Sequence, residues 1–503
     1  MHSAQLPLGA ISLRRTLKKA QFLAGDVLVR SCAFDWRACQ SGDTYFALTT
    51  ADGDGHEAAP QAIERGATAV VAERLLPLSV PQVLVPDSRV ALGRVCQALA
   101  GHPSRALTTI GITGSAGKSC TAMLLASILE AAGQTAGVMS SLGHSDSLAQ
   151  SPPPETTPTP AEFADWLRRM QLARCGAGVL ELSSEALAER RTSGIALDLA
   201  LVTNIKNVPL SRHNTAAAYR KVTRRIFNLL KKGGVAILNA DDHRSRGWCS
   251  DVQGIASPLL TYAMHSGADV TASVLERFAS EQTFLLTVGS HSAPVRTHIV
   301  GDAHVYNCLA AAASAVALGL DLTTIVGGLE AVERLPGRME RVECWQAFSV
   351  YIDAASSPEA LAQAIKSLRQ TANGRVWTVF GTALETDPAR RALLGRTLER
   401  GSHKTILTSA DPLEAATHST MHDYLDGFEK SGRAHVMPNR KRAIQYALAN
   451  ARPGDAVLIA GRDDRGAACD LLDDARIPDR QIAADCLYGR SVGPDRPRFR
   501  VVG

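Results

Sequence analysis

Long apolar runs are missing from this 503-residue sequence. No stretch reaches the roughly 18 apolar residues that a bilayer-spanning helix needs, so a membrane span is not expected. A secretory core is missing as well, because Arg14, Arg15, Lys18 and Lys19 interrupt the N-terminal segment early. Metal-binding cysteine pairs are absent: ten cysteines are scattered without a CxxC, and Cys32 and Cys39 lie too far apart for a zinc knuckle. Reduced, mostly buried thiols in a cytoplasmic protein are the expectation. A dominant charge sign is also lacking. The net charge is +5 on 54 basic and 49 acidic residues, with no basic block interleaved with aromatics, so no nucleic-acid partner is expected. There is no internal repeat and no low-complexity segment.

What is present is the profile of an ordinary globular protein, 45% hydrophobic and 20% charged. The length predicts about three domains. Residues 1–104 read as a small α/β unit with apolar runs at Ala69–Ala72 and Val83–Val85. Residues 105–335 alternate strand and helix patterns, with strands expected at Leu107–Thr113, Gly178–Leu182, Leu197–Asn204 and Val235–Asn239. Such alternation predicts a parallel sheet covered on both faces. A β-rich insertion follows around Asp269–Val300, with hairpin strands expected at Thr283–Val288 and Val295–Val300. Residues 336–488 read as a second, doubly wound α/β unit with strands at Val350–Asp353, Val376–Gly381, Thr405–Ser409 and Ala456–Ala460. Residues 489–503 form a basic tail. The fold class is therefore α/β in three domains, with a central P-loop domain and a C-terminal Rossmann-like domain.

The strongest motif is Gly111-Ile112-Thr113-Gly114-Ser115-Ala116-Gly117-Lys118-Ser119. It follows an apolar strand and precedes a helix, Ser119 to about Ala132, that stops at Gly133. Strand, glycine loop, Lys-Ser and helix is the context of a phosphate-binding loop. Gly114 and Gly117 let the backbone turn its N–H groups inward, and the helix N-terminus adds its positive end. Lys118 is expected on the β/γ-phosphates of ATP, and the Ser119 hydroxyl on Mg²⁺. Glu181 ends a buried strand near the loop and is a second candidate for that cation. The bland alternatives are a chance Gly-Lys-Ser at a strand–helix turn and a solvated carboxylate at a strand end. A phosphate loop alone does not separate kinases, GTPases and ligases.

Further segments, collinear from about Cys32 to Ala483, resemble the Mur ligase family, most of all its UDP-N-acetylmuramoyl-tripeptide synthetases. The carriers are Asp54-Gly55-His56, Thr156-Thr157-Pro158-Thr159-Pro160, Glu181-Leu182-Ser183-Ser184, Asn307 within Val305–Ala310, Pro336-Gly337-Arg338-Met339-Glu340, and Asp353. The resemblance implies a UDP-binding domain, a central ATPase domain and a C-terminal ligase domain. It implies that ATP and Mg²⁺ activate a carboxylate of a UDP-muramoyl peptide, which an amino acid's amine then attacks. Lys118 and Glu181 would then serve catalysis. Gly114, Gly117, Lys118, Ser119, Asn307, Arg338 and Asp353 would hold ATP, and Ser119 and Glu181 the metal. His56, Thr156, Thr157 and Ser183 would contact the muramoyl substrate.

The departures from the family pattern are systematic. Glu185 stands where the family has histidine, Val208-Pro209 where it has Asp-His, and Thr223 where it has a carbamoylated lysine. Lys221 cannot substitute, because two helical residues turn about 200° to the opposite face. Asp353–Glu359 lacks the family's tyrosine and histidine, and Gly381–Arg391 has lost glycines. Leu413 replaces an arginine, Arg462–Arg465 replaces KGHE, and Trp36 sits in the Asp35-Trp36-Arg37 motif. Three readings follow: an amide ligase with altered amino-acid specificity, a degenerate paralogue that binds ATP in a regulatory role, and a plain ATPase or kinase. In the first, Glu185 is a possible replacement metal ligand.

Overall fold

The computed structural model describes residues 9–50, 53–152, 156–205, 215–254, 258–382, 387–410, 418–430, 432, 434–462 and 477–491. They form two compact units, one of residues up to 270 with 310–328, the other of 271–309 with residues from 329 onward. Among the described residues every cysteine is a free thiol. No helix among them is long and apolar enough to cross a membrane.

The first unit holds two main sheets beside two short two-stranded ones. The smaller runs in the order Gln21–Phe22, Gln82–Leu84, Ala69–Ala72, Thr44–Phe46, Cys32–Ala33. Ala69–Ala72 is buried along its whole length, which is why an uninterrupted apolar run marks it. The first eight strands of the larger sheet have the order Gln150–Ser151, Gly143–Ser145, Ala136–Ser140, Ala177–Glu181, Thr108–Thr113, Leu197–Val202, Leu230–Asn239, Leu259–Ala263. The pairings on either side of Thr108–Thr113 are parallel, as are those of Ala136–Ser140 with Ala177–Glu181 and of Leu197–Val202 with Leu230–Asn239. Beneath it lies a core that includes Phe163, Leu167, Leu180, Leu197, Tyr219 and Phe227.

This strand order creates the site. From Thr108–Thr113 the chain crosses to Ala136–Ser140, returns beside its start as Ala177–Glu181, and continues on the other side as Leu197–Val202. Such a reversal opens a crevice beyond the carboxyl ends of the central strands. The residues that follow or end these strands, Gly114, Ser141, Glu181 and Thr203, therefore come to one edge.

In the second unit, Gln282–Val288 and His291–Thr297 form an antiparallel hairpin. The second strand lies earlier than the expected Val295–Val300, because the turn closes at Ser290. A further sheet runs Glu340–Val342, Ser349–Asp353, Ala456–Ala460, Val376–Phe380, Lys404–Leu407, Ala434–Val436. All its pairings are parallel except that of Glu340–Val342. The strands Val376–Phe380 and Ala456–Ala460 are wholly buried. Across the carboxyl ends of this sheet lies Arg440, fully buried, whose Nε and Nη2 donate to Asp479 at 2.8 and 2.6 Å. The same guanidinium reaches the carbonyls of Gly381, Ser409 and Ala460. One side chain thus bonds carbonyls at or just beyond the ends of three separate strands.

Candidate functional site

The loop is built by its neighbours. Gly114 has φ +136° and Gly117 φ +83°, both in the region that favours glycine. A Cβ on Gly114 would lie 2.1 Å from Thr203 Oγ1 and 2.9 Å from the Asn204 carbonyl oxygen. Thr203 and Asn204, which follow the adjacent strand, brace the loop. Ser115 N donates to Asn204 O at 2.9 Å, Ala116 N to Asn204 Oδ1 at 3.1 Å, and Asn204 Nδ2 to Ala116 O at 3.0 Å. Thr203 Oγ1 donates to Ala116 O at 2.7 Å. The Ser115 hydroxyl donates to the Tyr219 phenol at 3.0 Å. Sequence reasoning assigned no site role to these residues, since they act on a loop nearly 90 positions away through amide groups that no local pattern marks.

The helix after the loop spans Lys118–Ala131 with Gly117 as its N-cap, so it begins one residue earlier than the sequence reading and ends before Gly133 at φ +72°. Lys118 and Ser119 are its first two residues, where N–H groups lack intrahelical acceptors and favour an anion. Lys118 Nζ donates to Gly114 O at 3.2 Å and stands 3.7 Å from Glu181 Oε1. Ser119 Oγ donates to Glu181 Oε2 at 2.8 Å, and Ser141 N donates to the same oxygen at 2.8 Å. Ser141 Oγ lies 2.7 Å from Ser119 Oγ. Burial pushes the Glu181 carboxyl up, but the Lys118 ammonium, the Ser141 N–H and the two hydroxyls outweigh it and hold it below its ordinary value. The structure thus brings together Gly114, Gly117, Lys118, Ser119 and Glu181, and adds Ser141. The signal for Ser141 is its place just after an apolar strand, one position beyond the strand end that Glu181 occupies on its own strand.

A hydroxyl and an ionised carboxylate within hydrogen-bonding reach of each other, at a helix N-terminus, are the hard oxygen donors that Mg²⁺ takes alongside phosphate. Ser119 and Glu181 fit that ion.

A second polar cluster lies in the same unit. In the Thr156–Pro160 segment, Thr159 caps the helix Pro160–Leu172 through a reciprocal pair with Glu162. Thr156 is exposed. Thr157 Oγ1 donates to Glu185 Oε2 at 3.0 Å and lies 3.5 Å from Ser183 Oγ. Ser183 Oγ caps the helix Ser184–Ala188 by accepting from Ala186 N at 3.0 Å. Arg191, absent from the sequence reading, donates through Nη1 to the Thr157 carbonyl. Thr157 and Ser183 are therefore brought together, with Glu185 between them and Arg191.

His56 is buried, and both ring nitrogens are engaged inside its own domain. Nε2 accepts from Glu73 N at 3.0 Å, which leaves the ring proton on Nδ1, 2.7 Å from Asp54 Oδ1. The Asp54 carboxyl is held well below its ordinary range, first by the His56 N–H. The ring pins the Asp54–His56 turn. Trp36 lies under two guanidinium groups, Arg37 at 5.2 Å and Arg65 at 5.6 Å from the ring centre.

In the second unit, Asn307 is half-buried on the helix Asp302–Ala317. Asp353 accepts from Met339 N and Ala355 N, each at 2.8 Å. It thereby clamps the turn that carries Arg338, where Gly337 has φ +61° and Met339 φ +46°. Burial raises the Asp353 carboxyl, against the nearby Arg338 charge and these two N–H groups.

At the lysine-replacing position, Thr223 is fully buried and its hydroxyl donates to Tyr219 O at 2.9 Å. Lys221 is exposed, on the opposite face as expected. Val208, Pro209, Leu413, Asp464 and Arg465 lie outside the described residues.

Residues 112–315 match the Mur ligase middle domain, and residues 337–462 match the Mur ligase, glutamate ligase domain. The chain is 35% identical over 435 residues to the UDP-N-acetylmuramoyl-L-alanyl-D-glutamate--2,6-diaminopimelate ligase of Geobacillus kaustophilus, covering 85% of this chain and 88% of that one. It is 34% identical over 460 residues to the UDP-N-acetylmuramyl-tripeptide synthetase of Roseiflexus sp., covering 87% and 90%. A solved UDP-N-acetylmuramoyl-L-alanyl-D-glutamate--2,6-diaminopimelate ligase superposes with TM-score 0.69 at 25% identity, over 96% of this chain and 99% of that one. Together with the braced loop and the Ser119–Glu181 pair, these matches make the chain a member of the Mur ligase family.

Proposed function

We propose that this protein is an ATP- and Mg²⁺-dependent amide ligase that extends a UDP-N-acetylmuramoyl peptide in peptidoglycan precursor synthesis. The observation that carries the reading is the convergence of Lys118, Ser119 and Glu181 at one end of the central strands. Lys118 and the N–H groups of the first helical turn offset phosphate charge, and Gly114 and Gly117 let the backbone approach. Ser119 and Glu181 would hold Mg²⁺, which when bound supplies charge neutralisation at the phosphate oxygens. The family resemblance would assign Asn307 and Arg338 to the nucleotide as well, and Asp353 holds the turn that carries Arg338. Thr156, Thr157 and Ser183 engage the muramoyl peptide, and His56 keeps the Asp54–His56 turn in place.

One observation favours the second reading, a paralogue that binds ATP with little or no turnover. Thr223 is fully buried with its hydroxyl directed at Tyr219 O, so that position carries no amine on which a carbamate could form.

Both readings are tested by incubating the protein with Mg-ATP, UDP-N-acetylmuramoyl-L-alanyl-D-glutamate and a mixture of amino acids. Phosphate release with a new amide product supports the ligase. ATP binding with neither product supports the paralogue. Absence of binding to both ATP and the muramoyl dipeptide rejects both.

A further inference from the structure

Two cysteines that play no part in the site described above meet in the first unit. Cys32 Sγ lies 3.7 Å from Cys96 Sγ, so the two thiols are in direct contact. They come from different elements. Cys32 is on the two-residue strand Cys32–Ala33, at the edge of the smaller main sheet and paired only with Thr44–Phe46. Cys96 is on the helix Ser88–Leu99. Cys96 is buried in a core with Phe46, Val71 and Val95, and Cys32 packs against that core while half-buried. Solvent therefore reaches one sulfur of the pair and not the other. The neighbouring Cys32 thiol and burial push the Cys96 thiol up, so Cys96 keeps its proton at neutral pH. A disulfide holds its sulfurs at about 2.05 Å, so an approach of roughly 1.7 Å closes the bond. A short edge strand with a neighbour on one side only is the element best able to yield that distance.

We propose that Cys32 and Cys96 form a reversible oxidation site, in which hydrogen peroxide oxidises Cys32 and Cys96 resolves it to a disulfide. The Cys32 thiolate attacks one peroxide oxygen and the O–O bond breaks. Cys32 becomes a sulfenic acid, and the released hydroxide takes up the proton that Cys32 gave to solvent, forming water. The Cys96 sulfur then attacks the Cys32 sulfur. The S–O bond breaks, and the departing hydroxide leaves as water with the Cys96 proton. Two thiols and one peroxide thus give one disulfide and two waters. The resolving thiol is already in contact, so it captures the sulfenic acid before a second peroxide carries Cys32 on to the irreversible sulfinic acid.

The test treats the reduced full-length protein with hydrogen peroxide, alkylates it under denaturing conditions and maps its peptides by mass. Wild type is expected to yield a peptide pair joined through Cys32 and Cys96, lighter by two hydrogens than the free pair and separated again by dithiothreitol. Cys96→Ala should lose the joined pair and accumulate sulfenic and then sulfinic acid at Cys32. Cys32→Ser should leave Cys96 fully alkylatable, because solvent does not reach it. Equal melting temperatures of the reduced proteins verify folding of the variants, and the wild-type map stands without them. Wild type in which both cysteines stay alkylatable after peroxide overturns the proposal. So does wild type in which Cys32 is oxidised to sulfinic acid while Cys96 stays free.

Discussion

Ser119 Oγ donates to Glu181 Oε2 at 2.8 Å, joining the first turn of a helix to the end of a strand 62 residues later. The pair depends on strand order. Thr108–Thr113 and Ala177–Glu181 are parallel neighbours with Ile112 opposite Glu181, so the residue ending one strand faces the loop leaving the other. Glu181 is ionised there because Lys118, Ser141 and Ser119 outweigh its burial. Replacing it with Gln should leave ATP bound and weaken the Mg²⁺ dependence of that binding by about 10–100-fold, read from titrations at varied metal concentration. The acid response has a definite sign. A lowered folded value makes Glu181 stabilising above its ordinary value of 4.5, and that stability is lost as the pH falls through the lowered value. The stability gap between wild type and Glu181→Gln should therefore narrow on acidification below that point.

Gly114→Ala tests the bracing of the loop. The new methyl would lie 2.1 Å from Thr203 Oγ1, a buried hydroxyl already bonded to Ala116 O, at a φ of +136°. A loss of about 1–3 kcal/mol in stability is expected from the strained backbone alone. ATP affinity should fall as well, since the loop must move to relieve the clash. Unchanged affinity would show that Thr203 does not fix the loop.

Much of this was legible in the sequence. Ala69–Ala72 and Ala456–Ala460 appear at the expected bounds, because parallel strands buried on both faces read as unbroken apolar runs. The loop and Glu181 were legible because glycine, lysine and a strand-end acid mark themselves locally. The hairpin strand His291–Thr297 was misplaced, since its burial is patchy and its register is set by the turn before it. Thr203, Asn204 and Ser141 were not assigned, because their roles exist only through strand neighbours distant in sequence. Glu185 drew notice as a departure, but its bond to Thr157 and its nearness to Arg191 needed the fold.

Arg440 and Asp479 give a stability prediction for the second unit. Both side chains are fully buried and joined by two hydrogen bonds. Arg440→Met leaves Asp479 a buried charge without this partner and should cost about 3–5 kcal/mol in denaturant unfolding. Adding Asp479→Leu should recover a large part of that loss. No recovery would mean that the carbonyls of Gly381, Ser409 and Ala460, rather than the carboxylate, are what Arg440 satisfies.

His304 gives a pH prediction. It is buried on the helix Asp302–Ala317, with Nε2 3.4 Å from Cys308 Sγ, and burial pushes its value down from 6.5 to about 4. The unfolded chain therefore takes up a proton between these values that the folded chain refuses. Stability should fall by about 3 kcal/mol as the pH drops from 6.5 to 4, and stay level above 6.5 on this account. In His304→Leu this part of the acid loss should vanish, as chemical unfolding at pH 7 and pH 4.5 would reveal.

The most direct measurement is a calorimetric titration of Mg-ATP into wild type and Lys118→Ala. Lys118 sits at the first helical position, 3.7 Å from Glu181 and bonded to Gly114 O, and it is the one ammonium assigned to the phosphates here. Wild type is expected to bind, and the variant to bind about 10–100-fold more weakly with its fold intact, as for loss of a charged hydrogen-bonding group. Equal affinity of the two proteins would contradict an ATP site at Gly114–Ser119.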